Sequence, residues 1–138
     1  MNPSQVHDSF AKQALMATFA AEITALSPGK LEITAPILPL AHQQHGVGHA
    51  GLTFALADTA GGYAALTLMP EGREVMTVEA KINLLAPARG EKLIARAEVV
   101  RAGRRLSVVR ADVFAMEDGV ETCIAVLQGT MIAVEPAL

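Results

Sequence analysis

Apolar side chains recur along this chain with two periods, and the change of period divides it into elements. From Asp8 to Ala20 they fall at Phe10, Ala14, Leu15 and Phe19. That is the spacing of one helix face, with Ser or Asp able to cap the start. Glu22 to Leu26 reads as a brief strand and Ser27-Pro28-Gly29 as a turn. Leu31, Ile33, Ala35 and Ile37 then alternate with Glu32 and Thr34, a half-buried strand ended by Pro36 and Pro39. A hairpin is the simplest connection between these two strands. A Gly- and His-rich loop follows, His42 to His49. Beyond it, a run from about Ala50 to Met69 is apolar almost throughout until Pro70-Glu71-Gly72 stops it, which predicts a long helix.

The second half alternates with period two. Val78 to Leu84 predicts one strand, Leu93 to Val99 a second, Arg104 to Met116 a third and Val120 to Val134 a last one, with Gly129 a candidate bulge. Turns are expected at Pro87 to Gly90, Ala102-Gly103 and Glu117-Asp118-Gly119. Three long strands joined by short turns make an antiparallel meander. The expected architecture is one α+β domain over residues 1–138, with an N-terminal helix at 1–21 and a central helix at 50–69. An alanine-rich helix is suited to cover the apolar face of the sheet, because small residues let it sit close.

Composition sharpens this picture. The 138 residues are 51% hydrophobic, yet only 4% are aromatic, there is no Trp, and 25 are alanine. The apolar material is therefore small. With 18% charged residues and mean hydropathy of +0.36, disorder is excluded, and self-association is expected to hide apolar surface. A net charge of −3 offers no basic field for nucleic acid. The single cysteine, Cys123, makes no internal disulfide, so a reducing, cytoplasmic setting is expected, and it reads as a small core residue. Met1 to Phe10 lacks the apolar segment of a signal peptide. The 50–69 run has membrane-crossing length, but Asp58 and the Gly61-Gly62 pair mark it as a buried helix of a soluble protein.

The chemistry centres on Asp58, the only charged side chain between His49 and Glu71. A carboxylate among Leu56, Ala57, Thr59 and Ala60 is costly unless it faces a cavity or a partner. Placed in a cavity it is a candidate general base or nucleophile; otherwise it is a surface Asp or one bonded to a nearby loop. His42, His45 and His49 have the spacing H-x2-H-x3-H, which on a helix would share a face. Gly46 and Gly48 argue against a helix there, so no metal site is assigned. His49-Ala50-Gly51 falls at the expected helix start, where backbone N–H groups lack internal partners and can polarise a carbonyl or hold an oxyanion; the glycines can equally serve only to shape the turn. Arg101, Arg104 and Arg105 surround a hairpin turn and can hold phosphates, or simply be solvated.

His49-Ala50-Gly51 followed by Leu56-Ala57-Asp58-Thr59-Ala60 resembles the PaaI-type branch of the hotdog-fold acyl-CoA thioesterases, whose signature is H-G-G then L-A-D-x-A. Thr77 to Pro87 resembles the next strand of that family, and Gly103-Arg104 and Gly129-Thr130 fit its later strands. The likeness covers residues 30–134. It implies a hotdog fold and hydrolysis of an acyl-CoA thioester to a free acid and coenzyme A. Asp58 then matches the helix carboxylate that acts as base or nucleophile. Ala50 stands at the second position of H-G-G, whose backbone N–H polarises the thioester carbonyl, and alanine keeps that N–H. Gln43, fifteen residues before Asp58, matches an Asn or Gln that positions water or the leaving group. Thr77 matches a Ser or Thr assisting the water, and His49 the motif His that orients the loop, with Gly51 completing the motif. Arg101, Arg104 and Arg105 become contacts for the nucleotide end of coenzyme A, which is part of the substrate, so no further cofactor is implied. The resemblance also implies sites between subunits of a homodimer or homotetramer. The alternative on the same fold is an acyl-CoA-binding module without turnover. Phe10, Phe19, Phe54 and Tyr63 can line an aryl or an aliphatic pocket alike.

Overall fold

The computed structural model describes residues 3–136; the outermost residues of the expected 1–138 domain and 1–21 helix, 1, 2, 137 and 138, lie outside them. Two short helices open the chain, α1 (Pro3–Ala11) and α2 (Ala14–Thr18), followed by β1 (Glu22–Ser27) and β2 (Lys30–Pro36). A single 3-10 turn at Pro39–Ala41 leads through the His-rich loop into α3 (Ala50–Leu66). Then come β3 (Glu74–Leu84), β4 (Lys92–Ala102), β5 (Leu106–Glu117) and β6 (Val120–Val134).

The six strands form one antiparallel sheet in the order β1-β2-β4-β5-β6-β3. The hairpin β1–β2 and the meander β4–β5–β6 pair as expected, with Leu31 opposite Ala97 joining them. β3 does not pair with its sequence neighbour β4; it lies on the far edge against β6. The chain therefore crosses the whole inner face of the sheet between β2 and β3, and α3 makes that crossing. A helix apolar on nearly all sides is stable only when buried, and Leu52, Leu56, Ala57, Ala60, Ala64 and Leu66 are almost wholly enclosed. They meet the inward residues of the strands, among them Ile33, Leu93, Ala95, Val109, Ala111 and Leu127. The approach is close: a Cβ on Gly61 would stand 2.9 Å from Val109 Cγ2, so only glycine fits there.

Several boundaries differ from the sequence reading. The N-terminal helix is two helices, because Gln13 leaves helical geometry (φ −81°, ψ 103°) and its amide donates to the Tyr63 hydroxyl on α3. Val6, which lies before the apolar positions read for the N-terminal helix, is wholly buried. α3 ends at Leu66 rather than Met69, and the chain tightens through Leu68 N–H to Ala65 O and Met69 N–H to Leu66 O before Pro70. Gly129 is regularly paired with Ala80 and Val109; the register shift on that edge falls in β3, between Thr77 and Glu79, and leaves Val78 as the extra residue. In β6 the shift lies instead at Ile124, unpaired between Cys123 and Ala125. Gly129 still serves close packing, since a Cβ there would lie 3.2 Å from the Glu79 carbonyl.

Candidate active site

Asp58 is half-buried near the middle of α3 and faces the first half of β3. Its Oδ1 accepts a hydrogen bond from Thr77 Oγ1 at 2.7 Å, and Oδ2 has no partner among the described residues. The Thr77 hydroxyl also lies 3.3 Å from Met131 Sδ. Thr77 is positioned by the part of β3 that precedes the bulge, a segment the alternation pattern had not placed in a strand. Asp58 opens onto a cavity of about 420 Å3 whose wall includes Ser9, Lys12, Gln13, Tyr63 and Thr77. Glycine at Gly62, one helical turn beyond Asp58 on the same face, leaves this space open.

The loop residues gather elsewhere. His49 is the N-cap of α3, and its own Nδ1 accepts from Gly51 N–H at 2.7 Å. That nitrogen must carry a lone pair, so a neutral His49 ring holds its proton on Nε2. Leu52 N–H and Thr53 N–H reach His49 O. Of the first-turn donors, Ala50 N–H alone has no partner among the described residues. Gln43, which lines the second cavity, accepts from His45 N–H through Oε1, and its side-chain NH2 group has no partner among the described residues. Gly48 N–H donates to Ala88 O at 2.9 Å and pins the loop, and a Cβ at Gly48 would come within 2.9 Å of Ala88 Cβ. Gln43, His45, His49, Ala50, Leu84 and Arg89 line this second cavity of about 620 Å3; Gln44, exposed, does not.

The two groups do not meet within one chain. Asp58 lies eight positions beyond Ala50, a rise of about 12 Å along the helix. Leu84 lies seven positions beyond Thr77 on β3, about 23 Å of strand. A carbonyl bond is about 1.2 Å long, too short to touch both. Between the two groups the edge of β3 is open, its exposed side chains mixed, with Val78 beside Glu79, Lys81 and Asn83. Met76 (58% exposed), Val78, Leu84 and Leu85 are uncovered, as is Phe54 on α3, one turn before Asp58.

Arg101, Arg104 and Arg105 line a separate shallow opening at the β4–β5 turn with Leu106 and Val108, and reach neither cavity. Cys123 is half-buried, its Sγ 3.7 Å from Ala125 O. No group of three His, Cys, Asp or Glu with metal-ligand geometry occurs among the described residues, and no helix among them is long and apolar enough to cross a membrane. Residue patterns alone had not pointed to Ser9, Lys12, Gln13 or Arg89. The available signal was Ser9 and Gln13 at helical spacing on the same side as Phe10, and an arginine in the turn after Pro87.

The fold recurs in known proteins. Residues 45–122 match the model of the thioesterase superfamily. A crystal structure of a thioesterase family protein from Silicibacter pomeroyi is 46% identical, with a TM-score of 0.94 over 96% of this chain and 98% of that one. A curated Haemophilus influenzae protein carrying an esterase name is 35% identical over 92 residues, 67% of each chain. The Escherichia coli PaaI protein, from the phenylacetic acid degradation operon, shares the fold at 21% identity and a TM-score of 0.85, covering 97% of this chain and 94% of that one. With its family model running from His45 through the central helix and β3, β4 and β5, the chain belongs to the thioesterase superfamily and has its hotdog fold.

Proposed function

We propose that the protein hydrolyses acyl-CoA thioesters in a site completed by a second copy of the chain. The observation that carries this reading is the separation of Asp58 and Thr77 from Gln43, His49 and Ala50 at opposite ends of one unpaired strand edge that exposes Met76, Val78 and Leu84. If two β3 edges pair antiparallel about a twofold axis, the first half of one lies against the second half of the other. The Asp58 cavity of one protomer then adjoins the Ala50 cavity of its partner. The same pairing covers Met76, Val78 and Leu84 and removes an exposed edge. Two such dimers stacking into a tetramer, in a cytoplasmic enzyme, complete the reading.

In that site the thioester carbonyl oxygen accepts from Ala50 N–H at the positive end of α3. Asp58 Oδ2 takes the proton of a water that attacks the carbonyl carbon, or attacks it directly to form an anhydride that water then opens. The C–S bond breaks, and the departing sulfur is protonated to give coenzyme A beside the free acid. Thr77 holds Oδ1 so that Oδ2 faces the substrate. Gln43, with its NH2 group unpaired among the described residues, positions the water or the sulfur.

Subunit complementation tests the shared site. Asp58→Asn and Gln43→Ala proteins, each inactive alone, are unfolded together and refolded, and thiol release from acyl-CoA is followed. Random pairing restores one intact site in each mixed dimer, about a quarter of wild-type activity for a twofold dimer. No recovery, with dimers formed, places the two groups in the same subunit and overturns the shared site. Tight acyl-CoA binding without thiol release by the wild type overturns the hydrolytic role.

A further inference from the structure

The two cavities differ in charge and in what their polar groups have left to offer. The Ala50 cavity contains Arg89 and His45 and no carboxylate. The Arg89 guanidinium makes no ion pair or hydrogen bond among the described residues; only its backbone N–H is engaged, donating to Pro87 O. Among the described residues, the Asp58 cavity holds two carboxylates, Asp58 and Glu74, against one cation, Lys12. A phosphate-bearing substrate lies with its phosphates toward the first and away from the second. The acyl group, on the other side of the thioester carbonyl, is left with the Asp58 cavity.

That cavity does not end in an apolar wall. Tyr63, 3% exposed, is held edge-on to Phe10 with ring centroids 6.1 Å apart. Its hydroxyl accepts from Gln13 Nε2 at 2.9 Å and shares a proton with Ser9 Oγ, also at 2.9 Å. Gln13 Oε1 has no partner among the described residues. Tyr63 lies five residues beyond Asp58 on α3, and both line this one cavity of about 420 Å3, room for a short acyl chain. A plain alkyl end placed there leaves Gln13 Oε1 dry and unpaired, whereas a hydroxyl pairs with it.

Resting on the reading above, we propose that the break between α1 and α2 serves to build an acyl-end recognition site. Ser9, Gln13 and Tyr63 select short acyl groups with a distal hydrogen-bonding group, and Arg89 of the other cavity receives the phosphates of coenzyme A. The substrate class is a short ω-hydroxyacyl-CoA or an acyl-CoA with an equivalent polar end.

The test compares kcat/KM for 6-hydroxyhexanoyl-CoA and hexanoyl-CoA. The wild type is expected to favour the hydroxylated ester about tenfold, the discrimination of one hydrogen bond. Tyr63→Phe, which keeps the ring on Phe10, and Gln13→Met, which keeps the volume, bring the ratio to within twofold of unity. Loosening of α1 alone would lower both rates and leave the ratio where it was. In a second arm, Arg89→Ala raises KM at least fivefold for hexanoyl-CoA, with less than a twofold rise for hexanoyl-N-acetylcysteamine, which has no phosphates. A wild type that hydrolyses both esters through Asp58 with no preference overturns the acyl-end site and leaves the hydrolase reading standing. So does a preference that survives both variants. An Arg104→Ala effect in place of an Arg89→Ala effect overturns the orientation. Absence of any thiol release overturns the hydrolase reading itself, and this inference with it.

Discussion

Glu32 on the outer face of the sheet and Asp58 on the inner side begin alike. Each carboxylate accepts from a threonine hydroxyl at 2.7 Å, Glu32 from Thr24 and Asp58 from Thr77. Glu32 also accepts from Arg96 Nε at 2.9 Å, and Arg96 grips Glu121 with two further bonds of 2.8 Å while lying 4.8 Å over the Phe114 ring. The Thr24 hydroxyl first, and Arg96 after it, hold Glu32 below its ordinary value against the opposing effect of burial. Arg96 likewise lowers Glu121. Among the described residues, Asp58 has only the neutral Thr77 hydroxyl. The contrast separates two uses of one residue type. A cation neutralises a carboxylate and occupies its lone pairs, which supports structure. A lone hydroxyl orients the group and leaves one oxygen available for chemistry.

The largest expected effect tests the Asp58 side. Asp58→Asn keeps the shape but removes the base, and kcat for acyl-CoA hydrolysis should fall by about 10²–10⁴ with the fold retained by circular dichroism. A fall below threefold would put Asp58 with Glu32 as a structural group. Thr77→Val tests the hydroxyl. Loss of one orienting hydrogen bond should lower kcat about tenfold, with KM little changed; a change in KM alone would mean that Thr77 contacts substrate and does not position Asp58.

The smallest effect lies on the outer face. Arg96→Met should cost about 1 kcal/mol at neutral pH, the size of a solvent-screened surface network, and leave kcat as it is. Because Glu32 and Glu121 are depressed on folding, their contribution is present above the ordinary value of 4.5 and is lost as pH falls through the lower folded values. Denaturation curves of wild type and Arg96→Met should therefore draw together as pH falls below 4.5 and both carboxylates become protonated. Curves that stay parallel into acid would assign the loss to packing on Phe114 rather than to charge.

Much of this was legible in the residues. The α+β class, the β1–β2 hairpin, the β4–β5–β6 meander and the central helix follow from local periodicity, because alternation and 3.6-residue spacing are written in neighbouring side chains. Asp58 was conspicuous since so little charge surrounds it. The split of the first helix was not legible: it depends on Gln13 meeting Tyr63 fifty residues away. Nor was the role of Gly129, which packs against Glu79 instead of forming a bulge.

The sequence by itself determined which segments are helix and strand, which face of each is apolar, and that one carboxylate stands alone in an apolar helix. Tertiary structure alone decided that β3 crosses to the far edge, that Thr77 meets Asp58, and that Ala50 keeps the unpaired donor while Gly51 is capped by His49. It also decided that Asp58 and Ala50 open into different cavities. The physical reason is range. Periodicity records contacts between near neighbours, whereas strand order and the meeting of distant side chains are set by how α3 packs across the sheet.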